Sequence, residues 1–499
     1  MSAPDLRDPA AWPPGTVTIR NQESAAIKLQ PTPSIDPNDP LNWSTLRKTT
    51  NFSLVCLYTI ATFVLLDVGA VIWTPVNLEL GISYENLNNA YASNTGGLAL
   101  GCILLVPLAI KYGRRPVYIL SAAVQFASAI WQAKIQTTGE MIAISVLCGV
   151  AGAISEAIVQ MTVADLFFVH QRGTMNAIYL CCVVVGANLA PVAAGYIAVD
   201  QGWRWVWWWT SILLGLSFIG FVFFFEESKF VFSPLRQQLH TPRQKEQTPM
   251  PSRHASKEEL PLSEQVSKVQ SVAEVPSIPK KSYRQRLALV TKSDTPLLPR
   301  MYQPFIILVT FPAVAYTALQ YGSILAWLSI MITTVSTYLS QPPYNFAPSG
   351  IGLFNLPPFI GAILGSLFGG PLSDWYIMRL AKRNGGVYEP EMRLHLALPA
   401  VVACPVGILV FGLGLAKIIG DAFVAVVFVR NGVSTIIVFA LTPWINRVGL
   451  RNMFITAACM NVAIGLLTLP MIFWGKKARV MRAEKYRHLA ASQPGGRDA

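Results

Sequence analysis

Six runs of about 18 or more predominantly apolar residues lie near 52–75, 91–110, 116–134, 140–165, 174–198 and 205–225. No other feature of the chain limits its fold as severely. A run of about 20 residues, rising 1.5 Å per residue as a helix, crosses about 30 Å of hydrocarbon. Within hydrocarbon an unpaired backbone N–H or C=O costs several kcal/mol, so runs this long must close their hydrogen bonds internally as helices. A second block follows near 303–333, 349–372, 394–416, 422–443 and 453–474. Between the blocks, residues 229–300 hold thirteen Lys/Arg against six Asp/Glu with recurrent proline, the composition of a disordered basic linker. The expectation is an all-α polytopic membrane protein. It has a disordered cytoplasmic N-terminus over 1–50, a six-helix bundle over 51–228, the cytoplasmic linker over 229–300, a C-terminal bundle of five spans over 301–475 and a basic tail over 476–499.

Composition agrees with that reading: 53% of residues are hydrophobic and 13% charged, against about 25% charged in soluble domains. The net charge of +13 is distributed by topology and does not imply a nucleic-acid partner. With the N-terminus inside, KYGRRP (111–116), HQRG (170–173), the linker and MRLAKR (378–383) all fall on the cytoplasmic side, where Lys and Arg accumulate. The opposite loops PVNLELGISYENLNNA and STYLSQPPYNFAPSG carry neither. The tryptophans of GWRWVWWW (202–209) fall at an outer boundary, as interfacial aromatics do. Asn42-Trp43-Ser44 and Asn51-Phe52-Ser53, although glycosylation triplets, then lie inside and should be silent. No charged n-region precedes an apolar stretch in the first 50 residues, so the first span is expected to direct insertion. All seven cysteines fall in apolar runs without metal-ligand spacing and read as small apolar residues, so neither a metal nor another cofactor is expected.

The two blocks echo one another. PLAIKYGRRP follows the second span of the first, and GGPLSDW, with Gly370 and Asp374, follows the second span of the second. Gly97 and Gly101, like Gly361, Gly365 and Gly369, are spaced so that two helix backbones can approach closely. Through these motifs, together with DPNDPLNWSTLRK (36–48), DLFFVHQRGT (165–174), FEESK (225–229), NGGVYEPEMRL (384–394) and WGKKAR (474–479), the chain resembles the major facilitator superfamily. Within it, the likeness is to the fungal proton-coupled drug and metabolite antiporters with twelve spans. The resemblance implies two six-helix bundles around a central cavity. Three departures stand out. Ile110 occupies the acidic position of the loop after the second helix, although Lys111, Gly113, Arg114 and Arg115 remain. Ser145 stands where many relatives bury an arginine. GLGLAKIIGDAFVAVV (412–427) joins two spans directly, so the segment equivalent to helix ten is expected to be absent, leaving eleven spans. The tail 476–488, with six Lys/Arg, would then end outside, against the charge rule; either a segment was lost from the gene model or transcript, or the transporter is truncated.

Ionisable residues inside the spans are Asp67, Glu156 and Arg430. At a helix centre each costs about 2.5–3.5 kcal/mol on insertion scales, so each needs a partner or a wet cavity. Glu156, then Asp67, are the proton-coupling candidates, since burial raises a carboxyl pKa and lets it load and release a proton. Gln160, Asn188, Tyr316, Gln320 and Tyr321 could line a cavity or bond one helix to another. Lys111, Gly113, Arg114, Arg115, Asp165, His170, Arg172, Gly370 and Asp374 belong to inner loops and could latch helix ends or merely set topology. In VVVGANLAPVAAG (183–195), Pro191 removes a backbone bond while Gly186, Ala190, Ala194 and Gly195 leave room for a neighbouring helix. The resemblance identifies Gly186, Ala190, Pro191 and Gly195 with the antiporter motif of helix five, with Ala190 in place of a glycine, and so implies export. The leading expectation is efflux of a small organic molecule in exchange for protons by a monomer in the lipid bilayer, with the plasma membrane as the family's usual location. Alternatives are a carrier of polyamines or other organic cations, and a non-transporting sensor or inactive truncated transporter. No nucleophile, metal-ligand or phosphate-loop constellation supports an enzyme.

Overall fold

The structure, a computed structural model, describes residues 17–18, 36–230, 281–291, 296–341, 344–367, 372–383, 387–388 and 450–467, with a few isolated positions besides. Seven of the described helices are long and apolar enough to cross a membrane. The junction at 412–427, the span at 422–443, nearly all of 394–416 and Arg430 lie outside the described residues, as do most of the basic tail and Gly370.

The first half begins before its first span. Residues 36–50, which composition assigns to a disordered N-terminus, are folded in this structure. Asp39 caps a 3-10 turn, Pro40–Asn42, and the Lys48 ammonium donates to Leu41 O at 3.0 Å. Helix α1 runs Thr45–Asp67, tightens into a 3-10 turn over Val68–Ile72 and resumes as α2, Trp73–Leu80, until Gly81 ends it at φ +66°. Helix α3 spans Tyr84–Tyr112, α4 Arg114–Gln132, α5 Thr138–Leu166, α6 Val169–Val184, α7 Ala190–Asp200 and α8 Trp203–Phe223. A capping box between Thr137 and Glu140 starts α5.

Two devices hold this bundle together without a hydrophobic drive between helices. One is close approach: a Cβ on Gly97 would sit 2.5 Å from Val146 O, one on Gly101 2.3 Å from Val150 O and one on Gly149 2.0 Å from Asn94 O. The small-residue spacing read in the sequence therefore brings α3 and α5 backbone to backbone. The other is a polar hub. Gln125 donates to Tyr58 Oη and Ser121 Oγ, each at 2.9 Å, and accepts from Thr62 at 2.9 Å; Ser121 in turn donates to Ala151 O at 2.7 Å. One buried amide thus ties α1 and α4 together and, through Ser121, reaches α5. Tyr58, Tyr118, Phe221 and Phe225 pack edge to face and stacked beside it.

A one-turn helix, α9, covers Tyr283–Arg286 near the end of the linker. The second half opens with a broken helix. Where the sequence suggests a single span over 303–333, α10 (Leu297–Thr310) and α11 (Pro312–Tyr338) are separated by Phe311 in an extended conformation. The residue before a proline is sterically disfavoured from the helical region, which places the break at Phe311. Helices α12 (Pro348–Leu353), α13 (Leu356–Leu367), α14 (Ser373–Arg383) and α15 (Leu450–Leu466) follow. Trp327 Nε1 donates to Asn461 Oδ1 at 2.9 Å, joining α11 to α15 within a core of Ile330, Met331, Met453 and Ala457. Among the described residues the only strand pairing is the two-residue ladder of β1 (Val17–Thr18) with β2 (Val387–Tyr388).

Candidate functional site

Helix α5 sorts its side chains by face. Glu156 is 5% exposed, and Leu147, nine residues earlier, is 42% exposed. At about 100° per residue these positions lie on opposite sides of the helix. Gln160, one turn beyond Glu156 on the same stripe, is exposed. Glu156 and Gln160 thus share a face of α5 directed away from the exposed, apolar Leu147. Asp67 is half-buried at the last residue of α1, where the α-helix gives way to a 3-10 turn. Both acids therefore belong to the first bundle, on different helices.

The stretch 183–195 is resolved into an unusual local structure. Val185–Leu189 forms a π-helical turn, with the Ala190 N–H bonded back to Val185 O, and Pro191 follows in the first turn of α7, where it has no N–H to continue the ladder. Asn188 is buried within the π turn, and its amide donates to Val184 O at 3.1 Å. The glycines face two different neighbours. A Cβ on Gly186 would lie 2.8 Å from Ile60 O of α1, whereas one on Gly195 would lie 2.6 Å from Pro348 O, in the other half. Gly352 reciprocates, its Cβ position being 2.7 Å from Pro191 O. Toward the same outer end, Ser340 Oγ bonds Tyr84 Oη at 3.2 Å. The Gly195 end of the helix-five motif is therefore a seam between the halves, at the ends away from the positively charged loops, while its Gly186 end packs within the first half.

In the second half, Tyr316 and Tyr321 are each 9% exposed on α11, and the buried Gln320 Oε1 has no hydrogen-bond partner among the described residues. A cavity of about 50 Å³ lies within the outer half of the first bundle, its lining including Asn94, Gln132, Ser145, Cys148 and Trp207. Ligand sites for drug-sized molecules need about 300–1,000 Å³, so this space is no cargo site. Ser145 there donates to Met141 O at 2.8 Å.

The inner loops converge on a carboxylate that motif reading leaves without a role. Glu227, just past the end of α8, accepts from the N–H groups of Arg114 at 2.9 Å, Arg115 at 3.2 Å and Lys229 at 2.9 Å. It caps the start of α4 from the FEESK segment. Gly113 is required twice over: its φ is +111°, and a Cβ would fall 2.2 Å from Glu227 Oε2. The Arg114 guanidinium pairs with Asp165 at 3.0 Å. Arg115 reaches Phe225 O at 2.8 Å, Val222 O at 2.7 Å and Leu287 O. Arg172 closes the end of α5 through Phe167 O and Ala164 O. Lys111 contributes its carbonyl, which accepts from the Lys229 ammonium at 2.9 Å. Burial pushes the Glu227 carboxyl above the usual range, opposed by the N–H donors and the Arg114 charge. Burial first, and then the Arg114 charge, bring the Lys229 amine down to about 8. Glu226 pairs with Arg47 beside this latch. The signal for Glu227 was the acid pair following a span end. Asp374 lies on α14, and His170 on α6; the side chains of both, and Gly370 entirely, are outside what is described.

The family model described as Major Facilitator Superfamily matches residues 51–442. An MFS-type transporter of Schizosaccharomyces pombe is 31% identical, over 95% of this chain and 94% of its own length. Protein HOL1 of Saccharomyces cerevisiae is 26% identical, over 93% of this chain and 92% of its own. Efflux pump radE of Floropilus chiversii is 24% identical, over 76% of this chain and 64% of its own.

Proposed function

The chain belongs to the major facilitator superfamily, and from that premise we propose that it is a proton-coupled exporter of a small organic molecule, held here in an inward-facing state. The observation that carries the proposal is the seam at Gly195 and Gly352, where helices of the two halves meet backbone to backbone at their outer ends. Two rigid bundles that touch tightly there can rock about that contact and expose the space between them to one side at a time. Glu156 is the proton carrier: it is buried, on the inner stripe of α5, next to the exposed Gln160. Asp67 is a second acid of the same path, and Gln160, Tyr316, Gln320 and Tyr321 line the cargo space. The latch around Glu227, Arg114 and Asp165 steadies the inner ends of the first bundle while the bundles rock. The direction of transport follows from the helix-five motif and agrees with the printed name of the radE relative. The plasma membrane is the proposed location, and the monomer the working unit.

Two acids in the first bundle favour an organic cation, polyamines included, as the class of cargo. The test is transport by the purified protein in proteoliposomes under an imposed pH gradient. Glu156→Gln should insert normally and lose gradient-driven accumulation while still exchanging cargo down its own gradient. Coupled transport at the wild-type rate in that variant would remove Glu156 from the mechanism; absence of any cargo flux from the wild type would favour the non-transporting sensor.

A further inference from the structure

The end of the linker, which its composition marks as disordered, is docked in the structure as a strap across the inner face of the first bundle. Thr291 N donates to Tyr112 O at 2.8 Å and Ser293 N to Lys111 O at 3.0 Å. The Lys229 ammonium holds Thr291 O at 2.9 Å and Ser293 Oγ at 3.0 Å. Tyr283 Oη donates to Phe223 O at 2.6 Å, and Lys281 N to Asn38 Oδ1 at 2.8 Å. The bond to Phe223 places the strap at the end of α8: Phe223 is the last residue of that helix, and it and Phe224 are exposed apolar side chains.

The outward side of the strap combines two chemistries. Tyr283, Leu289 and Val290 are 52%, 57% and 51% exposed. Lys281 and Arg284 are exposed between and beside them, and their side chains make no ion pair or hydrogen bond among the described residues. Among the described residues the neighbouring acids are committed elsewhere: Glu226 to Arg47 and Arg286, and Glu227 to the start of α4. Asp36 and Asp39 accept from their own turn. A soluble anion would account for the cations but not for the apolar side chains set among them. We propose that this strap is a docking surface for anionic phospholipid headgroups of the inner leaflet, with Lys281 and Arg284 holding the headgroup and Leu289 and Val290 entering the acyl boundary. Because the strap is bonded to Lys111, Tyr112 and Arg115, lipid bound there would stiffen the loop between α3 and α4. This inference does not depend on transport.

The test is native mass spectrometry of the full-length protein in neutral detergent, titrated with dioctanoyl-phosphatidylserine or dioctanoyl-phosphatidylcholine. Wild type should bind the serine lipid more tightly. Each basic residue near an anionic surface is worth about fivefold, so K281Q/R284Q should weaken phosphatidylserine binding about 25-fold and leave phosphatidylcholine unchanged. L289S/V290S should weaken both lipids, and retained phosphatidylcholine binding by K281Q/R284Q would show that this variant is folded. Equal affinity of wild type for the two lipids, a serine preference that survives K281Q/R284Q, or displacement of the lipid by an equal concentration of free phosphoserine would each overturn the proposal.

Discussion

Adding one methyl group at the seam should open the outer side of the protein. In Gly195→Ala the new Cβ would start 2.6 Å from Pro348 O and 3.0 Å from Ser349 Cα, both backbone atoms that cannot swing aside as a side chain tip does. Reaching ordinary contact requires the two halves to separate by about 0.8 Å at this point, and overpacking of that kind costs about 1–3 kcal/mol. The penalty falls only on the state in which the halves touch outside. The equilibrium should therefore move about 5- to 150-fold toward the outward-open state. Gly352→Ala meets Pro191 O at 2.7 Å and should act alike; since one displacement relieves both clashes, the double variant should cost little more than the worse single one. Gly139→Ala is the control, because nothing lies within 4 Å of its Cβ position. Spin labels at Leu78 and Phe346, exposed residues at the outer ends of the two halves, would report the change as a longer distance in a cysteine-free background. An unchanged distance distribution in a monodisperse Gly195→Ala protein would refute the assignment of this seam as the outer gate.

The inner latch makes further predictions. With its pKa lowered to about 8, the Lys229 amine is neutral at a pH where an ordinary lysine is still charged, so competitive acetylation should rise with a midpoint near pH 8. Arg114→Gln removes a neighbouring positive charge and should move that midpoint upward. Gly113→Ala places a methyl group on the Glu227 carboxylate and a side chain at φ +111°; the backbone conformation alone costs about 1–3 kcal/mol, read as a fall in the melting temperature of the purified protein. Gln125→Leu deletes three buried side-chain bonds, each worth about 0.6 kcal/mol between membrane helices, and should cost about 2 kcal/mol in the same assay.

The helices of the first half were readable because lipid leaves an apolar run of 20 residues no alternative conformation. The break at Phe311 was less visible: Pro312 is plain in the sequence, but whether a proline bends a helix or interrupts it depends on what re-satisfies the freed backbone groups. The same distinction governs VVVGANLAPVAAG, where proline and small residues pointed to a bent, closely packed helix, and the fold answered with a π turn.

Covalent order and hydrophobicity by themselves determined that the chain is built of long apolar helices, which loops carry the positive charge, and that Gly97, Gly101, Gly186 and Gly195 lie at close contacts. They could not say which backbone each glycine would meet. Only the tertiary structure sends Gly186 to the first helix and Gly195 across to the other half, caps the start of α4 at Arg114 with Glu227 from 113 positions away, and lays the end of a polar linker against the inner ends of the helices. The physical reason is common to all three. Helix formation in lipid is decided locally, by bonds between residues four apart, whereas a gate, a cap and a strap are contacts between segments far apart in the chain, fixed only once the helices have chosen their neighbours.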